Sequence, residues 1–194
     1  MEPLRELPVP LSWDAYFLNI AEAVKDRSSC SRRQVGAVIA RDHIILSTGY
    51  NGTPRGIQNC NAGGCPRCAG NAPSGTDLGE CLCVHAEANA IASAARTGAR
   101  TEDSSLYCTL TPCKDCAKLM INAGVRRVVV ASTDYNHEQA EAGRKLLAAA
   151  DVYFQVGGHP EPIVFGPWEG LRWDHGHLVA HMTGGYRGHT ILPR

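Results

Sequence analysis

The spacing of hydrophobic and polar positions predicts that helices and strands alternate along most of the chain. Apolar positions three and four residues apart indicate helices, and short apolar runs indicate buried strands. This pattern is typical of an α/β fold, and we expect a three-layer α/β/α sandwich with a mixed five-stranded sheet. The predicted helices cover residues 13–27, 85–97, 112–122 and 138–149, and the predicted strands cover 35–40, 43–50, 106–110, 126–132 and 151–156.

Three segments depart from this pattern. Residues 1–11 form a Pro-rich lead-in to a domain that we place over residues 12–156. Within that domain, residues 51–82 form a cysteine-rich insertion. This insertion is also rich in Gly, Asn and Pro, and it has no hydrophobic periodicity. A structureless segment of such length is uncommon unless it is functional or cross-linked. Residues 157–194 are Gly-rich, and we interpret them as an irregular C-terminal tail.

Composition narrows the class of protein. The 194 residues include 19 Lys plus Arg and 19 Asp plus Glu, which gives a net charge of zero. A protein that grips long nucleic acid through its phosphates usually has a basic excess. The sequence has neither a secretory signal nor an apolar run of membrane-spanning length, so we expect a soluble, cytoplasmic protein. Nine cysteines in a reducing compartment favour metal binding or catalysis over disulfides.

The first group of candidate functional residues is His85, Glu87, Cys113 and Cys116. The two cysteines lie three residues apart at the start of a predicted helix, and His85 lies at the start of another. One imidazole and two thiolates, with a fourth position open to water, are the donor set of a catalytic zinc. Glu87 would act as the general acid and base for that water. A purely structural zinc site is the alternative, but it leaves Glu87 unexplained.

His85 and Glu87 belong to the segment HAE, and Cys113 and Cys116 belong to the segment PCKDC. Together these two motifs match the signature of zinc-dependent nucleobase deaminases. Over residues 12–156 the chain resembles the deoxycytidylate (dCMP) deaminase family, within the cytidine deaminase superfamily. The resemblance implies hydrolysis of dCMP to dUMP and ammonia, which supplies dUMP for thymidylate synthesis. It also implies a homo-oligomer, usually a hexamer, that dCTP activates and dTTP inhibits. The matching segments are SWDAYFLNIAEAVKDRSSCSRRQVGAVI, STGYNGTPRG, NCNAGGCPRC, CLCVHAEANAI, LYCTLTPCKDCAKLMINAGVRRVVV and the region of Tyr135.

The resemblance also implies substrate-binding residues. Asn51 in the GYNG segment would hydrogen-bond the substrate, and the backbone N–H of Ala86 would hold the pyrimidine 2-oxygen. Arg33 and Gln34 match the basic segment at the phosphate, for which a guanidinium is well suited. Tyr135 resembles a tyrosine beside the pocket. The alternatives are a solvated charged turn for the arginine and an exposed loop aromatic for the tyrosine.

A second group of cysteines flanks the irregular segment. The spacing of CPRC is that of a zinc knuckle, and a zinc site would stabilise a segment that has no core of its own. Cys108 stands apart in a predicted strand, where we expect a small buried apolar residue. The remaining cysteines are Cys30, Cys60, Cys65, Cys68, Cys81 and Cys83.

Resemblance to members of the family with a second, structural zinc implies that Cys30, Cys60 and Cys83 are ligands and that the insertion supplies a fourth. We expect this fourth ligand to be Cys68. Cys65 and Cys81 are alternatives to Cys68 as the ligand from the insertion. Two further possibilities remain open, namely two zinc ions that share the six thiols, or free reduced thiols.

Several competing functions are consistent with parts of the sequence. A related deaminase could act on a 5-substituted dCMP, a free cytidine nucleoside or a tRNA adenosine, although the neutral charge argues against tRNA. A non-catalytic accessory protein of the DNA-uptake type is a further alternative, but it has no use for Glu87. In the tail, His175, His177 and His181 could bind metal, but packing of the nearby tryptophans is the preferred interpretation.

Overall fold

The computed structural model places most of the predicted domain and part of the tail. Tyr135 and most of the tail lie outside the described residues. No helix among the described residues is long and apolar enough to cross a membrane. The described residues are 10–70, 72–73, 75–133, 138–157 and, for the backbone alone, 163–164, 171–174 and 177–180.

The central sheet is mixed, as predicted. Its strand order is β2-β1-β3-β4-β5-β6, in which β1 is antiparallel to both neighbours and β3, β4 and β5 are parallel. The strands are β1 (Gly36–Arg41), β2 (Ile44–Tyr50), β3 (Ser104–Leu110), β4 (Val125–Ser132), β5 (Tyr153–Val156) and β6 (Ile163–Val164). The sixth strand adds two residues, antiparallel to β5, at one edge of the five-stranded sheet that we predicted.

The tail contains more regular backbone than its Gly-rich sequence suggested. Besides β6, strands β7 (Leu171–Asp174) and β8 (His177–Ala180) pair antiparallel as a separate two-stranded sheet. We expected irregular structure here, because no periodic run of hydrophobic residues marks these short strands. Their pairing depends on backbone hydrogen bonds, which the side-chain pattern does not report.

Five α-helices accompany the sheet in the described part of the chain, four of them close to the predicted positions. The insertion contributes a single short helix and two 3₁₀ turns, at Cys60–Ala62 and Leu78–Glu80. The helices are α1 (Trp13–Lys25), α2 (Pro66–Ala69), α3 (Ala86–Thr97), α4 (Lys114–Asn122) and α5 (Glu138–Ala149).

The start of α4 differs from the prediction. The Thr111-Pro112 pair at the start of the predicted helix 112–122 is typical of an N-cap followed by the first helical residue, but Cys113 occupies the N-cap position and Lys114 begins the helix. Thr111 and Pro112 are both buried in the segment that enters the helix. The Thr-Pro pair is a local signal for a helix start, and burial of both side chains against the domain overrides it.

Successive side chains along each strand point to opposite faces of the sheet, and this alternation creates the three layers. In β1, Ala37 and Ile39 pack in the core beneath α3, α4 and α5, whereas Val38 and Ala40 pack against α1 on the opposite face. The same alternation runs through β3 and β4. The sheet is therefore buried on both faces, and the first turns of α3 and α4 meet on the same side of it.

Close packing of β2 against α3 fixes where α3 begins. A Cβ atom on Gly49 would lie 2.2 Å from the carbonyl oxygen of Ala86 and 2.3 Å from the backbone nitrogen of Ala90. Glycine is therefore required at this position. Immediately before α3, Gly52 and Val84 form an isolated antiparallel bridge. These contacts hold the chain that carries His85 against the end of β2.

Candidate active site

Two helix starts bring the first group of predicted ligands together. His85 occupies the N-cap position of α3, Cys113 occupies that of α4, and Cys116 lies within the first turn of α4. The Nδ1 atom of His85 is 3.4 Å from the sulfur of Cys113 and 3.4 Å from that of Cys116. A tetrahedral zinc with ordinary bond lengths separates nitrogen and sulfur ligands by about 3.6 Å. The three side chains therefore fit a zinc ion that has one position left for a small molecule.

Electrostatics in this cluster favour a bound cation. Hydrogen bonds from Cys116 and His85 lower the pKa of Cys113 to about 4, although burial opposes this shift. The contact with Cys113 raises the pKa of His85 to about 9. The contact with Cys113, together with burial, raises the pKa of Cys116. The two sulfurs and the imidazole are thus close enough to hydrogen-bond through their protons. A zinc ion would displace these protons, because thiolate and neutral imidazole are the forms that bind the metal.

Glu87 lies beside the cluster in the first turn of α3 and is buried. Burial raises the pKa of its carboxyl, while the positive charge of His85 acts in the opposite direction. A carboxyl group whose pKa is raised holds a proton more readily than an ordinary carboxylate, and it can both accept and return one, which is the requirement for general acid and base catalysis.

These groups open into a cavity of about 720 Å³. That volume is within the range of small-molecule sites. Ala86 is the first residue of α3, so its backbone N–H is one of those left without an intrahelical partner at a helix start. Residues that line the cavity include Arg32, Arg33, Asn51, Arg67, Ala86 and Glu87.

Three guanidinium groups concentrate positive charge in this cavity. The Nη2 atom of Arg32 donates to the carbonyl of Gly70 at 3.1 Å, and the Nε atom of Arg67 donates to the carbonyl of Thr76 at 2.7 Å. Arg33 lines the same space. Since the chain carries no net charge, this local excess indicates a site for an anionic group. Sequence reasoning missed Arg67, because it belongs to the insertion and only the fold turns it toward the site.

The side chain of Asn51 makes three hydrogen bonds within the protein, which its sequence context did not indicate. Its Oδ1 atom accepts from the hydroxyl of Ser28 at 2.7 Å and from the backbone N–H of Val35 at 2.8 Å. Its Nδ2 atom donates to the carbonyl of Arg33 at 2.7 Å. A primary amide has two acceptor positions and two donors, so one N–H remains for a ligand. Asn51 thereby fixes the backbone of the segment that carries Arg33.

Gln34 lies apart from the main cavity. Its Nε2 atom donates to the carbonyl of Ser28 at 3.4 Å, and its side chain lines a neighbouring hollow that it shares with Arg33. Thr111, by contrast, lines the main cavity and was missed as a site residue. Its hydroxyl is buried and has no hydrogen-bond partner within the described part of the chain. Such groups are rare unless a ligand or water satisfies them.

The second group of cysteines also converges. The sulfurs of one set of four lie within 4.8 Å of one another, and this set is the one we assigned to a structural zinc: Cys30, Cys60, Cys68 and Cys83. A second set satisfies the same distance limit and consists of Cys65, Cys68, Cys81 and Cys83. None of the nine cysteines is in a disulfide. Cys108 is buried within the core on β3 and belongs to neither set, as expected.

Comparisons with known proteins agree with this geometry. Residues 11–132 match the model of the cytidine and deoxycytidylate deaminase zinc-binding region. The deoxycytidylate deaminase of Schizosaccharomyces pombe is 42% identical over 79% of this chain and 47% of its own length, so the chain spans about half of that relative. The deoxycytidylate deaminase of Mycobacterium phage D29 is 42% identical over 60% of this chain and 92% of its own length.

A solved structure supports the same relationship. The dCMP deaminase of cyanophage S-TIM5, determined in complex with dCMP and dUMP, superposes with a TM-score of 0.59 and 29% identity. The superposition covers 73% of this chain and 93% of that one. Fold, ligand geometry and sequence similarity therefore point to a single family. The chain belongs to the cytidine and deoxycytidylate deaminases, and the matched region is their zinc-binding part.

Proposed function

We propose that the chain catalyses the zinc-dependent hydrolytic deamination of dCMP to dUMP and ammonia, and that it supplies dUMP for thymidylate synthesis. The observation that carries this proposal is the meeting of His85, Cys113 and Cys116 with the buried carboxyl of Glu87 at one cavity. The names of the S. pombe and phage D29 relatives, and the nucleotides bound by the S-TIM5 protein, support dCMP as the substrate.

In this proposal His85, Cys113 and Cys116 hold the catalytic zinc, which when bound lowers the pKa of a water toward neutrality. The Glu87 carboxylate accepts a proton from the attacking water and gives it to the ring nitrogen beside the reacting carbon. In a second transfer Glu87 takes the proton of the new hydroxyl group on the reacting carbon and delivers it to the exocyclic nitrogen. The carbon–nitrogen bond then breaks, ammonia leaves, and the hydroxyl oxygen becomes the carbonyl oxygen of dUMP. The buried position of Glu87 suits this role, because burial raises the pKa of its carboxyl and thereby favours acceptance of a proton.

The remaining predicted site residues would bind the nucleotide. The backbone N–H of Ala86 would donate to the pyrimidine 2-oxygen, and the free amide N–H of Asn51 would donate to the substrate. Arg33 would bind the phosphate, with Arg32 and Arg67 contributing to the same positive field. Gln34 would support this phosphate segment from the neighbouring hollow. For Tyr135, beside the pocket by resemblance, the proposal rests on the sequence alone.

We also propose, from similarity to deoxycytidylate deaminases, a cytoplasmic homo-oligomer that is a hexamer, activated by dCTP and inhibited by dTTP. The catalytic domain would span residues 12–156, and a structural zinc on Cys30, Cys60, Cys68 and Cys83 would stabilise its insertion. Light scattering of the purified chain, with and without dCTP, tests the assembly. A monomer under both conditions contradicts it.

The deciding experiment measures ammonia release from dCMP, deoxycytidine, CMP and 5-methyl-dCMP, with and without dCTP. We expect strong preference for dCMP, because the cavity combines a deaminase cluster with three arginines. Activity on deoxycytidine alone would contradict phosphate recognition, and activity on 5-methyl-dCMP alone would change the substrate while keeping the mechanism. No ammonia from any of the four, in zinc-replete protein, would overturn the enzymatic proposal.

A further inference from the structure

The two sets of four cysteines have two members in common. Cys68 and Cys83 belong to both sets. The remaining members pair off on opposite sides of them, Cys30 with Cys60 and Cys65 with Cys81. Six sulfurs therefore form two ligand sets that share an edge.

Each set has the dimensions of a complete zinc site. A tetrahedral zinc with bonds of about 2.3 Å to sulfur places its sulfur ligands about 3.8 Å apart. The sulfurs of Cys65 and Cys81 are 4.0 Å apart, close to that value and much longer than a disulfide bond. Within each set of four, the sulfurs lie within 4.8 Å of one another. Both sets can thus accept an ion with small side-chain adjustments.

Hydrogen bonds to sulfur occur on both sides of the shared pair. The sulfur of Cys65 accepts the backbone N–H of Leu82 at 3.4 Å. On the other side, the hydroxyl of Ser31 lies 3.6 Å from the sulfur of Cys60. Hydrogen-bond donors at a sulfur stabilise the thiolate, which is the ligating form. Each end of the cluster therefore has a polar group that can stabilise a metal-binding thiolate.

A single zinc on one set would leave the other end unsatisfied. With an ion on Cys30, Cys60, Cys68 and Cys83, the thiols of Cys65 and Cys81 would remain as a close pair, one of them completely buried. Two ions neutralise four of the six thiolate charges, and each sulfur then has a ligating role. The shared sulfurs contact both ions, and this allows six cysteines to complete two tetrahedra.

We propose that the cysteine cluster is a binuclear zinc centre, in which Cys68 and Cys83 bridge two ions. Cys30 and Cys60 complete the coordination of the first ion, and Cys65 and Cys81 complete that of the second. Each ion binds without a change of oxidation state, and the thiol protons are released to solvent. The proposal extends the structural zinc site suggested above and does not depend on the identity of the substrate.

The position of the cluster accounts for its six cysteines. Between residues 53 and 84, the buried residues in the described part of the insertion are Cys60 and Cys65. Sulfur thus takes the place of a hydrophobic core, and metal supplies the folding free energy. Arg67 lies between Cys65 and the bridging Cys68, and it lines the cavity next to Glu87. The second ion would therefore hold one wall of the substrate cavity.

Metal analysis of the full chain, purified with zinc, tests the proposal directly. We expect three zinc ions per chain, one from the catalytic cluster and two from the binuclear centre. X-ray absorption at the zinc edge should contain a zinc–zinc path, which requires ions that share ligands. Two ions per chain without that path, together with alkylation or oxidation of Cys65 and Cys81, would overturn the binuclear centre. Either result stands apart from the dCMP assay, so the two proposals can fail independently.

Paired variants identify the ligands of each ion. Replacing Cys65 and Cys81 together by serine should reduce the count from three ions to two, and replacing Cys30 and Cys60 together should do the same. A mononuclear site on the first set predicts instead that the former variant loses nothing. Cys108→Ala is the matched control and should retain three ions, since Cys108 belongs to neither set.

If either double variant fails to fold, cadmium substitution of the unmodified chain provides a separate test. Two cadmium ions joined by shared sulfurs should split each other's ¹¹³Cd resonances. Two uncoupled cysteine-bound resonances, or a single one, would contradict bridging by Cys68 and Cys83.

Discussion

The Nδ1 atom of His85 lies 3.4 Å from the sulfur of Cys116, although the two residues are 31 positions apart in the chain. The contact exists because α3 and α4 begin on the same side of the sheet. Helix starts favour negatively charged ligands such as thiolates, so this junction is suited to a metal cluster. Glu87 takes part in the same junction from the first turn of α3.

Glu87→Gln should abolish most of the activity while keeping the zinc. The glutamine is close in size and cannot transfer a proton, so we expect kcat to fall by about 10²–10⁴. Ammonia release and metal content are measured on the same samples. Glu80→Gln, at an exposed glutamate of the insertion, is the control and should retain full activity. Full activity in zinc-bound Glu87→Gln would remove Glu87 from the mechanism.

Arg33→Ala should weaken turnover of dCMP far more than turnover of deoxycytidine. A charge-assisted hydrogen bond contributes roughly 1.5–3 kcal/mol, so kcat/KM for dCMP should fall about 10- to 100-fold. The alanine keeps the backbone carbonyl that Asn51 binds, so the fold at this point is retained. Arg100→Ala, at an exposed position outside the cavity, is the matched control. An equal loss for both substrates would argue against phosphate binding by Arg33.

Asn51→Ala should destabilise the fold as well as reduce activity. The change leaves the backbone N–H of Val35 and the carbonyl of Arg33 without the amide that now satisfies them, whereas the hydroxyl of Ser28 keeps the backbone carbonyl of residue 51 as its acceptor. Each unsatisfied group costs about 1–3 kcal/mol, so the free energy of unfolding should drop by roughly 2 kcal/mol or more. Urea unfolding measures it. Asn122→Ala, at an exposed site at the end of α4, should change stability by less than about 0.5 kcal/mol.

Thr111→Val should separate ligand binding from stability. The hydroxyl of Thr111 is buried and has no hydrogen-bond partner among the residues that the structure describes, so its removal should leave the free energy of unfolding unchanged or slightly increased. If the ligand satisfies that hydroxyl, KM for dCMP should rise about 2- to 10-fold, which corresponds to one neutral hydrogen bond. Thr97→Val, at the exposed end of α3, is a control. An unchanged KM would exclude Thr111 from substrate contact.

Asp14 should make the stability of the fold sensitive to acid. Burial raises the pKa of its carboxyl, but two hydrogen bonds from Arg127 and the positive charge outweigh burial and hold the pKa below its ordinary value of 3.8. A group whose pKa is lowered on folding stabilises the protein above its unfolded pKa and loses that contribution as pH falls further. The free energy of unfolding should therefore decline more steeply below about pH 4 in the unmodified chain than in Asp14→Asn.

Measurement of that free energy between pH 2 and pH 6 checks the difference in slope. Asp26→Asn serves as the control, because Asp26 is exposed at the opposite end of the same helix. Parallel curves for Asp14→Asn and the unmodified chain would show that the pair with Arg127 does not contribute to acid stability.

The sequence by itself determined the layers and the residues of the candidate zinc cluster. Hydrophobic spacing is a local property, and it identifies the helices and the sheet faces because burial repeats with the period of each element. His85, Glu87, Cys113 and Cys116 were predictable for a related reason. Their motifs are short, and each lies at a helix start whose position follows from the pattern.

Only the tertiary structure decided the features that depend on contacts between distant segments. It placed Arg67 in the cavity and satisfied most of the Asn51 amide from within the protein. It also buried the Thr111 hydroxyl with no partner among the described residues, and made Cys113 the helix cap instead. It also selected which cysteines are shared, since Cys68 and Cys83 meet both other pairs. Side-chain spacing along one segment carries no information about the approach of another, so these relationships required the folded chain.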